Sequence, residues 1–233
     1  MNIGGIQKLT LLDYPDKTAC TIFTTGCNFR CPFCQNSSLI DSKSNEQKQS
    51  ASGILSFLQT RQGKLDGVCI SGGEPLLSDN LGIFIHEIKE LGFLVKLDTN
   101  GSYPHKLKKL LDSGMIDYVA IDIKNSPEKY AKTAGLPEFD ISLIEESIHI
   151  LCNSSIQYEF RTTVVREFHT GDDLLSLVKW ISKDSDINKY YIQGFIDSPG
   201  VSQKGLSCYF NEEMNGILQK IKTVLPTAEL RGI

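Results

Sequence analysis

Six short apolar runs in series constrain the fold of this chain more than any other feature. They are strand-length and nearly continuous in apolar residues, and they span 18–24, 67–71, 93–98, 118–123, 157–165 and 189–195. Between them, stretches such as 81–91 and 174–181 place apolar residues at helical spacing. Strand and helix units that alternate in this way are typical of a parallel sheet covered by helices.

The length of the chain narrows this fold class. A complete eight-unit barrel takes about 250 residues, and this chain has 233. The predicted fold is therefore α/β, an incomplete (β/α)6 TIM-type barrel with a parallel sheet, and an open doubly wound sheet is the alternative. We expect one domain over 1–233, with a small N-terminal β appendage in 1–17 and the partial barrel in 18–233.

Two local features complete the fold prediction. Ser78 or Asp79 is predicted to cap the N-terminus of the helix over 81–91. The polar stretch 41–52 is predicted to be a loop, either simply solvated or involved in docking a partner.

Composition excludes some classes of function. The formal net charge of −4 gives no reason to expect a nucleic-acid partner. The longest apolar runs are far shorter than the roughly 20 residues that span a bilayer, and the N-terminus does not resemble a signal peptide. We therefore expect a cytoplasmic protein, in which seven cysteines favour metal binding or catalysis over disulfides.

Three of the cysteines, Cys27, Cys31 and Cys34, lie in one short segment. A four-iron cluster normally takes four cysteines, so three would leave one iron open to a small molecule. The alternative is a zinc site completed by a distant histidine; His86, His105, His149 and His169 are available. The other four cysteines are isolated in the sequence, and we expect a single cluster.

Further polar and glycine residues follow or end the predicted strands. Because the carboxyl ends of parallel strands meet at one edge of a sheet, these residues are predicted to form one site with the cysteines. They are Gly72, Gly73, Glu74, Pro75, Asp98, Asp122, Lys124, Arg161 and Gln193.

The segment Cys-Asn-Phe-Arg-Cys-Pro-Phe-Cys over 27–34 resembles the cluster loop of the radical S-adenosylmethionine superfamily. Gly-Gly-Glu-Pro over 72–75 resembles that superfamily's second signature, which holds the methionine amino group. The chain is most similar to glycyl-radical-enzyme activating proteins, in particular those that activate anaerobic ribonucleoside-triphosphate reductase. The shared segments are 5–8, 13–15, 23–27, 65–68, 98–101, 122–124, 161–165, 193–195 and 230–232.

This resemblance implies two cofactors, one [4Fe-4S] cluster held by Cys27, Cys31 and Cys34, and S-adenosylmethionine bound to its open iron. One electron from the reduced cluster cleaves the sulfonium to give methionine and a 5′-deoxyadenosyl radical, which abstracts a hydrogen atom. The implied partners are a glycyl-radical enzyme as substrate and a flavodoxin or ferredoxin as electron donor.

Each strand-end residue can be assigned a role toward that cofactor. Gly72 and Gly73 would let the backbone approach a ligand, and Glu74 would accept from the amino group. Asp98 and Asp122 would bind the amino group, the ribose hydroxyls or a small cation, unless Asp98 caps a helix and Asp122 is merely solvated.

The remaining roles are similar in kind. Lys124 suits the methionine carboxylate, unless it is a solvated surface lysine. Arg161, in an apolar strand, requires a carboxylate partner from the ligand or a residue such as Glu74. Gln193 is predicted to contact adenosine, and Phe33 to stack on adenine or to shield the cluster. Formate-lyase activating proteins carry histidine where this chain has Gln193, which weakens any transfer of their substrate.

Three functions remain open at this level. The first is an activase that removes a hydrogen from a backbone glycine of a partner enzyme. The second is a radical enzyme acting on a small metabolite, and the third is a non-catalytic module that binds zinc or a cluster.

Overall fold

The computed structural model describes residues 1–41 and 49–232. Most of the predicted polar loop, residues 42–48, lies outside the described residues. The end of that prediction is wrong, because Ser50 is the N-cap of the first helix and its side chain accepts a hydrogen bond from Gly53 N.

Eight strands are formed in the described residues. They are β1 Ile3–Thr10, β2 Ala19–Thr24, β3 Gly67–Gly72, β4 Leu94–Thr99, β5 Tyr118–Asp122, β6 Gln157–Val164, β7 Tyr190–Gly194 and β8 Ala228–Arg231. All six predicted strands are confirmed to within about one residue at each end. The final strand, β8, was not predicted, because it is only four residues long and alternates apolar with charged side chains.

Within residues 1–41 and 49–232, seven α-helices separate or follow the strands. They are α1 Ala51–Gln59, α2 Leu81–Glu90, α3 Pro104–Asp112, α4 Pro127–Ala134, α5 Ser142–Cys152, α6 Gly171–Ile181 and α7 Asn211–Lys222. The predicted cap of α2 is wrong: a short 3-10 turn at Pro75–Leu77 precedes it, and Asn80 is the N-cap residue.

The strands follow one another in the sheet in the order of the chain. β1, which pairs antiparallel with β2, is the predicted N-terminal β appendage. The pairs β2 with β3, β3 with β4, β6 with β7 and β7 with β8 are parallel. A sequential order is that of a barrel, whereas the order of a doubly wound sheet reverses part-way. The partial-barrel prediction is therefore confirmed.

Two compact units make up the chain. Unit 1 contains residues 1–28, 38–120 and 155–157, and unit 2 contains 29–37, 121–154 and 158–233. In unit 1, Ile22, Ile70 and Leu97 are fully buried on neighbouring strands. In unit 2, Phe160 and Ile192 are buried in the same way. Such continuous burial is expected for parallel strands covered on both faces.

Candidate active site

The segment 26–37, here called the cysteine loop, begins in unit 1, where backbone hydrogen bonds fix it. Gly26 N donates to Leu39 O at 2.7 Å, and Cys27 N donates to Ile40 O at 3.1 Å. Glu74 N donates to Gly26 O at 2.7 Å. The turn after β3 therefore directly sets the position of the backbone at Cys27, which is half-buried.

Gly72 and Gly73 are needed for this contact. A Cβ on Gly72 would lie 2.3 Å from Thr24 N, and one on Gly73 would lie 2.1 Å from Gly26 O. Both distances are shorter than real Cβ contacts, so a side chain on Gly72 would push the turn away from the end of β2, and one on Gly73 would push it away from the cysteine loop. Both glycines therefore admit a close approach of the protein's own backbone, and the predicted approach of a ligand to them remains a prediction.

Glu74 is buried, with 1% of its surface exposed, and its carboxylate connects two segments by hydrogen bonds. Its Oε1 accepts from Leu76 N at 3.0 Å and from Thr99 Oγ1 at 2.7 Å, and its Oε2 accepts from Asn100 N at 2.7 Å. It therefore joins the turn after β3 to the end of β4. Pro75, the next residue, opens the 3-10 turn. The contact of Glu74 with an amino group remains a prediction.

A polar network that sequence reasoning missed links the cysteine loop to the residues after β4. Asn100 Nδ2 donates to Asn28 Oδ1 at 2.9 Å, and Asn28 Nδ2 donates to Ser102 Oγ at 2.9 Å. Ser102 Oγ donates to Asn100 Oδ1 at 2.6 Å. Asn28 follows Cys27 directly, so an amide beside a predicted cluster ligand was the signal that could have identified this network.

Asp98 forms an ion pair with Lys96, two residues earlier on the same face of β4. Lys96 is fully buried, and its Nζ lies 5.8 Å from the centroid of the Tyr118 ring. The helix-capping alternative for Asp98 is wrong, because α3 begins at Pro104 with Tyr103 as its N-cap residue. Sequence reasoning missed Lys96, although a lysine inside an apolar strand is the same kind of signal as the one that identified Arg161.

In unit 2, Asp122 and Lys124 at the end of β5 and Arg161 on β6 form one charged group. Arg161 Nε donates to Asp122 Oδ1 at 2.9 Å, and Lys124 Nζ lies 3.4 Å from Asp122 Oδ2. The predicted carboxylate partner of Arg161 is thus found within the protein. Sequence reasoning named Glu74 as a candidate partner, and Asp122 takes that role here.

These charges shift the pKa values of the group. Burial alone would raise the pKa of the Asp122 carboxyl, but the charges of Arg161 and Lys124 outweigh it and hold the pKa well below its usual range. Burial would lower the pKa of Lys124, but Asp122 and then Cys31 raise it above its usual value. Both groups are therefore ionised at neutral pH.

A second carboxylate, Glu159 on β6, extends this charged group. It is fully buried, and both its oxygens accept from the Arg231 guanidinium at 2.7 Å. Arg161 NH1 lies 3.7 Å from the same carboxylate. Sequence reasoning missed this pairing, although an acidic residue in an apolar strand and an arginine near the end of the chain were visible signals.

The rest of the cysteine loop lies in unit 2 and is held by ring packing. Phe33 is buried with its centroid 5.8 Å from Phe168 and 6.2 Å from His169, and Phe29 packs edge-on against Phe139 at 5.2 Å. Both predicted roles of Phe33, stacking on adenine and shielding the cluster, remain predictions.

The two thiols of this part of the loop differ in burial. Cys31 is buried and Cys34 half-buried. Burial raises the pKa of the Cys34 thiol, with the Asn36 backbone N–H and the Lys124 charge opposing it. None of the seven cysteines, all within the described ranges, forms a disulfide.

The four histidines are the candidate fourth ligands for the zinc alternative. His169 is buried, and both its ring nitrogens contact backbone: Nε2 lies 2.7 Å from Lys124 O, and Nδ1 accepts from Val165 N at 3.1 Å. The other three lie exposed on α2, α3 and α5. In the part of the chain that is described, no three His, Cys, Asp or Glu side chains gather in a group suited to one metal ion.

Gln193 on β7 faces its neighbouring strand. Its Nε2 donates to Thr163 Oγ1 at 2.9 Å, its register partner on β6. The predicted contact with adenosine is not tested by this bond and remains a prediction.

Comparison with known proteins identifies the family. The sequence profile of the radical SAM superfamily matches residues 21–181. This chain belongs to the radical SAM superfamily. It is 35% identical over 198 residues to a Methanocaldococcus jannaschii protein named "putative glycyl-radical enzyme activating enzyme MJ1227", covering 83% of this chain and 79% of that protein. The chain therefore belongs with the glycyl-radical-enzyme activating proteins of this superfamily.

More distant relatives share the domain but are longer. A GTP 3′,8-cyclase of Helicobacter pylori is 27% identical over 178 residues, 73% of this chain and 53% of the cyclase. The crystal structure of Streptococcus suis SuiB bound to S-adenosylmethionine matches 90% of this chain and 49% of SuiB, with a TM-score of 0.67 and 13% identity. The chain thus spans about half the length of each, and the SuiB match shows the fold alone.

In the described residues, no helix combines the length and apolar character needed to cross a bilayer.

Proposed function

We propose that this radical SAM protein is an activase, which uses S-adenosylmethionine to abstract a hydrogen atom from a backbone glycine of a partner glycyl-radical enzyme. The observation that carries the proposal is the cysteine loop, whose start is locked to the Gly-Gly-Glu-Pro turn by the hydrogen bond from Glu74 N to Gly26 O at 2.7 Å. The similarity to an archaeal protein named as a glycyl-radical enzyme activating enzyme supports the same function.

The residues of the cysteine loop fit a [4Fe-4S] cluster. Three thiols within eight residues provide the soft ligands that iron–sulfur clusters take, with one iron left for S-adenosylmethionine. The hydroxyl of Thr25, two residues before Cys27, is buried and lacks a hydrogen-bond partner among the described residues. Because buried polar groups are normally bonded, this hydroxyl is a donor that a bound group would satisfy.

A cluster held by Cys27, Cys31 and Cys34 would, when bound and reduced, supply the one electron needed to cleave the sulfonium of S-adenosylmethionine to methionine and a 5′-deoxyadenosyl radical. The chain's own residues orient and screen that reaction. Lys124 and Arg161 present positive charge that suits the methionine carboxylate, and Asp122 keeps both in place. Glu74 fixes the turn beside Cys27, and Phe33 packs the second half of the loop against Phe168 and His169.

The partner and the electron donor are the finer parts of the proposal. We assign anaerobic ribonucleoside-triphosphate reductase as the glycyl-radical enzyme, on the resemblance of segments that run along most of the chain. A flavodoxin or ferredoxin is assigned as the donor of the single electron, since either supplies one electron at low potential.

A second candidate is a radical reaction on a small molecule. The similarity to proteins named GTP 3′,8-cyclase supports it. The lower identity and the smaller share of those proteins that is covered make it the weaker candidate.

Reconstitution tests the cofactor part of the proposal. After anaerobic treatment with iron and sulfide, we expect about four irons per chain. With dithionite, the protein should then release methionine and 5′-deoxyadenosine from S-adenosylmethionine. A chain that binds no cluster and cleaves no cofactor would be the non-catalytic module considered above, and the proposal would be wrong.

A further inference from the structure

The connection from β7 to α7 is unusually long and carries no helix or strand. It covers residues 195–210, whereas structureless loops beyond about 12–15 residues are uncommon and usually functional. Sequence reasoning assigned no role to residues 196–203. Its first part, residues 196–203, is called the strap below.

The strap makes four hydrogen bonds to the cysteine loop, all within unit 2. Gln35 Nε2 donates to Ile196 O at 2.9 Å, and Ser37 Oγ donates to Gly200 O. In the other direction, Ser202 Oγ and Gln203 N donate to Pro32 O at 2.9 and 3.0 Å. Pro32 follows Cys31 and Gln35 follows Cys34, so the bonds reach the loop directly beside two of its cysteines.

A close backbone approach accompanies these bonds. A Cβ on Gly200 would lie 2.3 Å from Gln35 O, so only glycine lets the strap lie this close. The strap is itself ordered by its own contacts: Val201 is buried, its N–H donates to Ser198 O at 3.0 Å, and Lys204 Nζ donates to Val201 O at 3.0 Å. The cysteine loop therefore packs against an ordered segment.

We propose that the strap holds the Cys31–Cys34 part of the cysteine loop in its ligating geometry, which makes Gln35, Ser37 and Gly200 positioning residues for the cluster. Within this part the backbone closes one turn of its own, from Cys34 N to Cys31 O at 3.1 Å. The strap adds bonds on both sides of that turn. Groups that orient metal ligands commonly change metal retention by about 10- to 100-fold when removed. This inference rests on the proposed cluster.

Two variants test the strap. Gly200→Ala forces the strap away from Gln35 O, and the double variant Gln35→Ala/Ser37→Ala removes two side-chain donors from partly or fully exposed positions. Gly216→Ala on α7, where a Cβ would meet nothing within 4 Å, is the matched glycine control. Gln203→Ala is the control within the strap, because it keeps the backbone donor to Pro32 O.

The readouts are iron per chain after anaerobic reconstitution, the electron paramagnetic resonance spectrum of the reduced cluster, and its lifetime in air. We expect both test variants to melt like wild type without the cluster but to lose the cluster about tenfold faster, with a broadened spectrum. Both controls should match wild type. If Gly200→Ala does not fold, the double variant decides the outcome.

The outcomes separate the two proposals. Wild-type protein that takes up no iron would contradict the proposed function. Wild-type protein that holds a full cluster, beside test variants with the same spectrum and the same lifetime, would contradict the role of the strap and leave the proposed function intact.

Discussion

The carboxylates Glu74 in unit 1 and Asp122 in unit 2 both follow or end strands, but they are held in different ways. Glu74 is 1% exposed and accepts from two backbone N–H groups and a hydroxyl. The side chain of Asp122 is 37% exposed and faces Arg161 and Lys124. The first arrangement fixes backbone, while the second keeps a charged group within reach of solvent. Glu74 therefore holds the backbone of unit 1 in place, whereas the charged group around Asp122 is the one that we propose to meet a ligand.

The largest expected effect comes from the cysteines proposed as cluster ligands. Cys27→Ala and Cys34→Ala should each abolish cleavage of S-adenosylmethionine, because a cluster with two cysteines is not retained. Iron per chain and 5′-deoxyadenosine release measure this. The exposed Cys208, changed to Ser, is the control and should keep the wild-type iron content. A Cys27→Ala protein with a full, active cluster would show that this thiol is not a ligand.

The next largest effect is expected from the loss of a hydrogen bond to the buried Glu74 carboxylate. Glu74→Gln replaces one acceptor oxygen by a donor, so a buried N–H or hydroxyl loses its partner at a cost of about 1–3 kcal/mol. Urea denaturation of the cluster-free protein should show this destabilisation. Glu87→Gln, an exposed change on α2, is the control and should have almost no effect. Equal free energies of unfolding for the two variants would contradict the structural role of Glu74.

A smaller effect is expected from the charged group in unit 2. Lys124→Met keeps the length of the side chain but removes the charge that suits the methionine carboxylate, and should weaken S-adenosylmethionine binding about tenfold, or about 1.4 kcal/mol. Anaerobic calorimetry on the reconstituted protein measures this affinity. Lys132→Met on the exposed face of α4 should bind like wild type. An unchanged affinity in Lys124→Met would show that Lys124 does not bind the methionine carboxylate.

The smallest expected effect concerns pH. Because the pKa of Asp122 is lowered in the folded state, its contribution is present above the unfolded pKa of about 4 and is lost as the pH falls below it. For a partly exposed pair it should not exceed about 1 kcal/mol. Urea denaturation of wild type and Asp122→Asn at pH 3 to 7 should show a gap that is constant near neutrality and narrows below pH 4. If the difference in unfolding free energy between the two proteins instead widens on acidification, the pKa of Asp122 is not lowered in the folded state.

Sequence reasoning recovered the strands and the strand-end residues because both depend on local patterns. Continuous apolar runs placed β2 to β7, and motif order placed the cysteine loop and the turn at 72–75. The misses depend on partners that only folding brings together. Glu159 and Arg231 lie 72 residues apart, and Lys96 meets Asp98 only because a strand puts alternate residues on one face. The strap was missed because a loop has no periodicity to detect.

The central claim is that the radical formed from S-adenosylmethionine is passed to a glycine of another protein. The most direct test mixes reduced, reconstituted protein with S-adenosylmethionine and anaerobic ribonucleoside-triphosphate reductase whose glycines carry deuterium at the α-carbon. We predict deuterium in the released 5′-deoxyadenosine and a glycyl radical signal in the reductase by electron paramagnetic resonance. Cofactor cleavage with no deuterium transfer and no protein radical, together with consumption of GTP in a parallel reaction, would contradict the account and favour a small-molecule substrate.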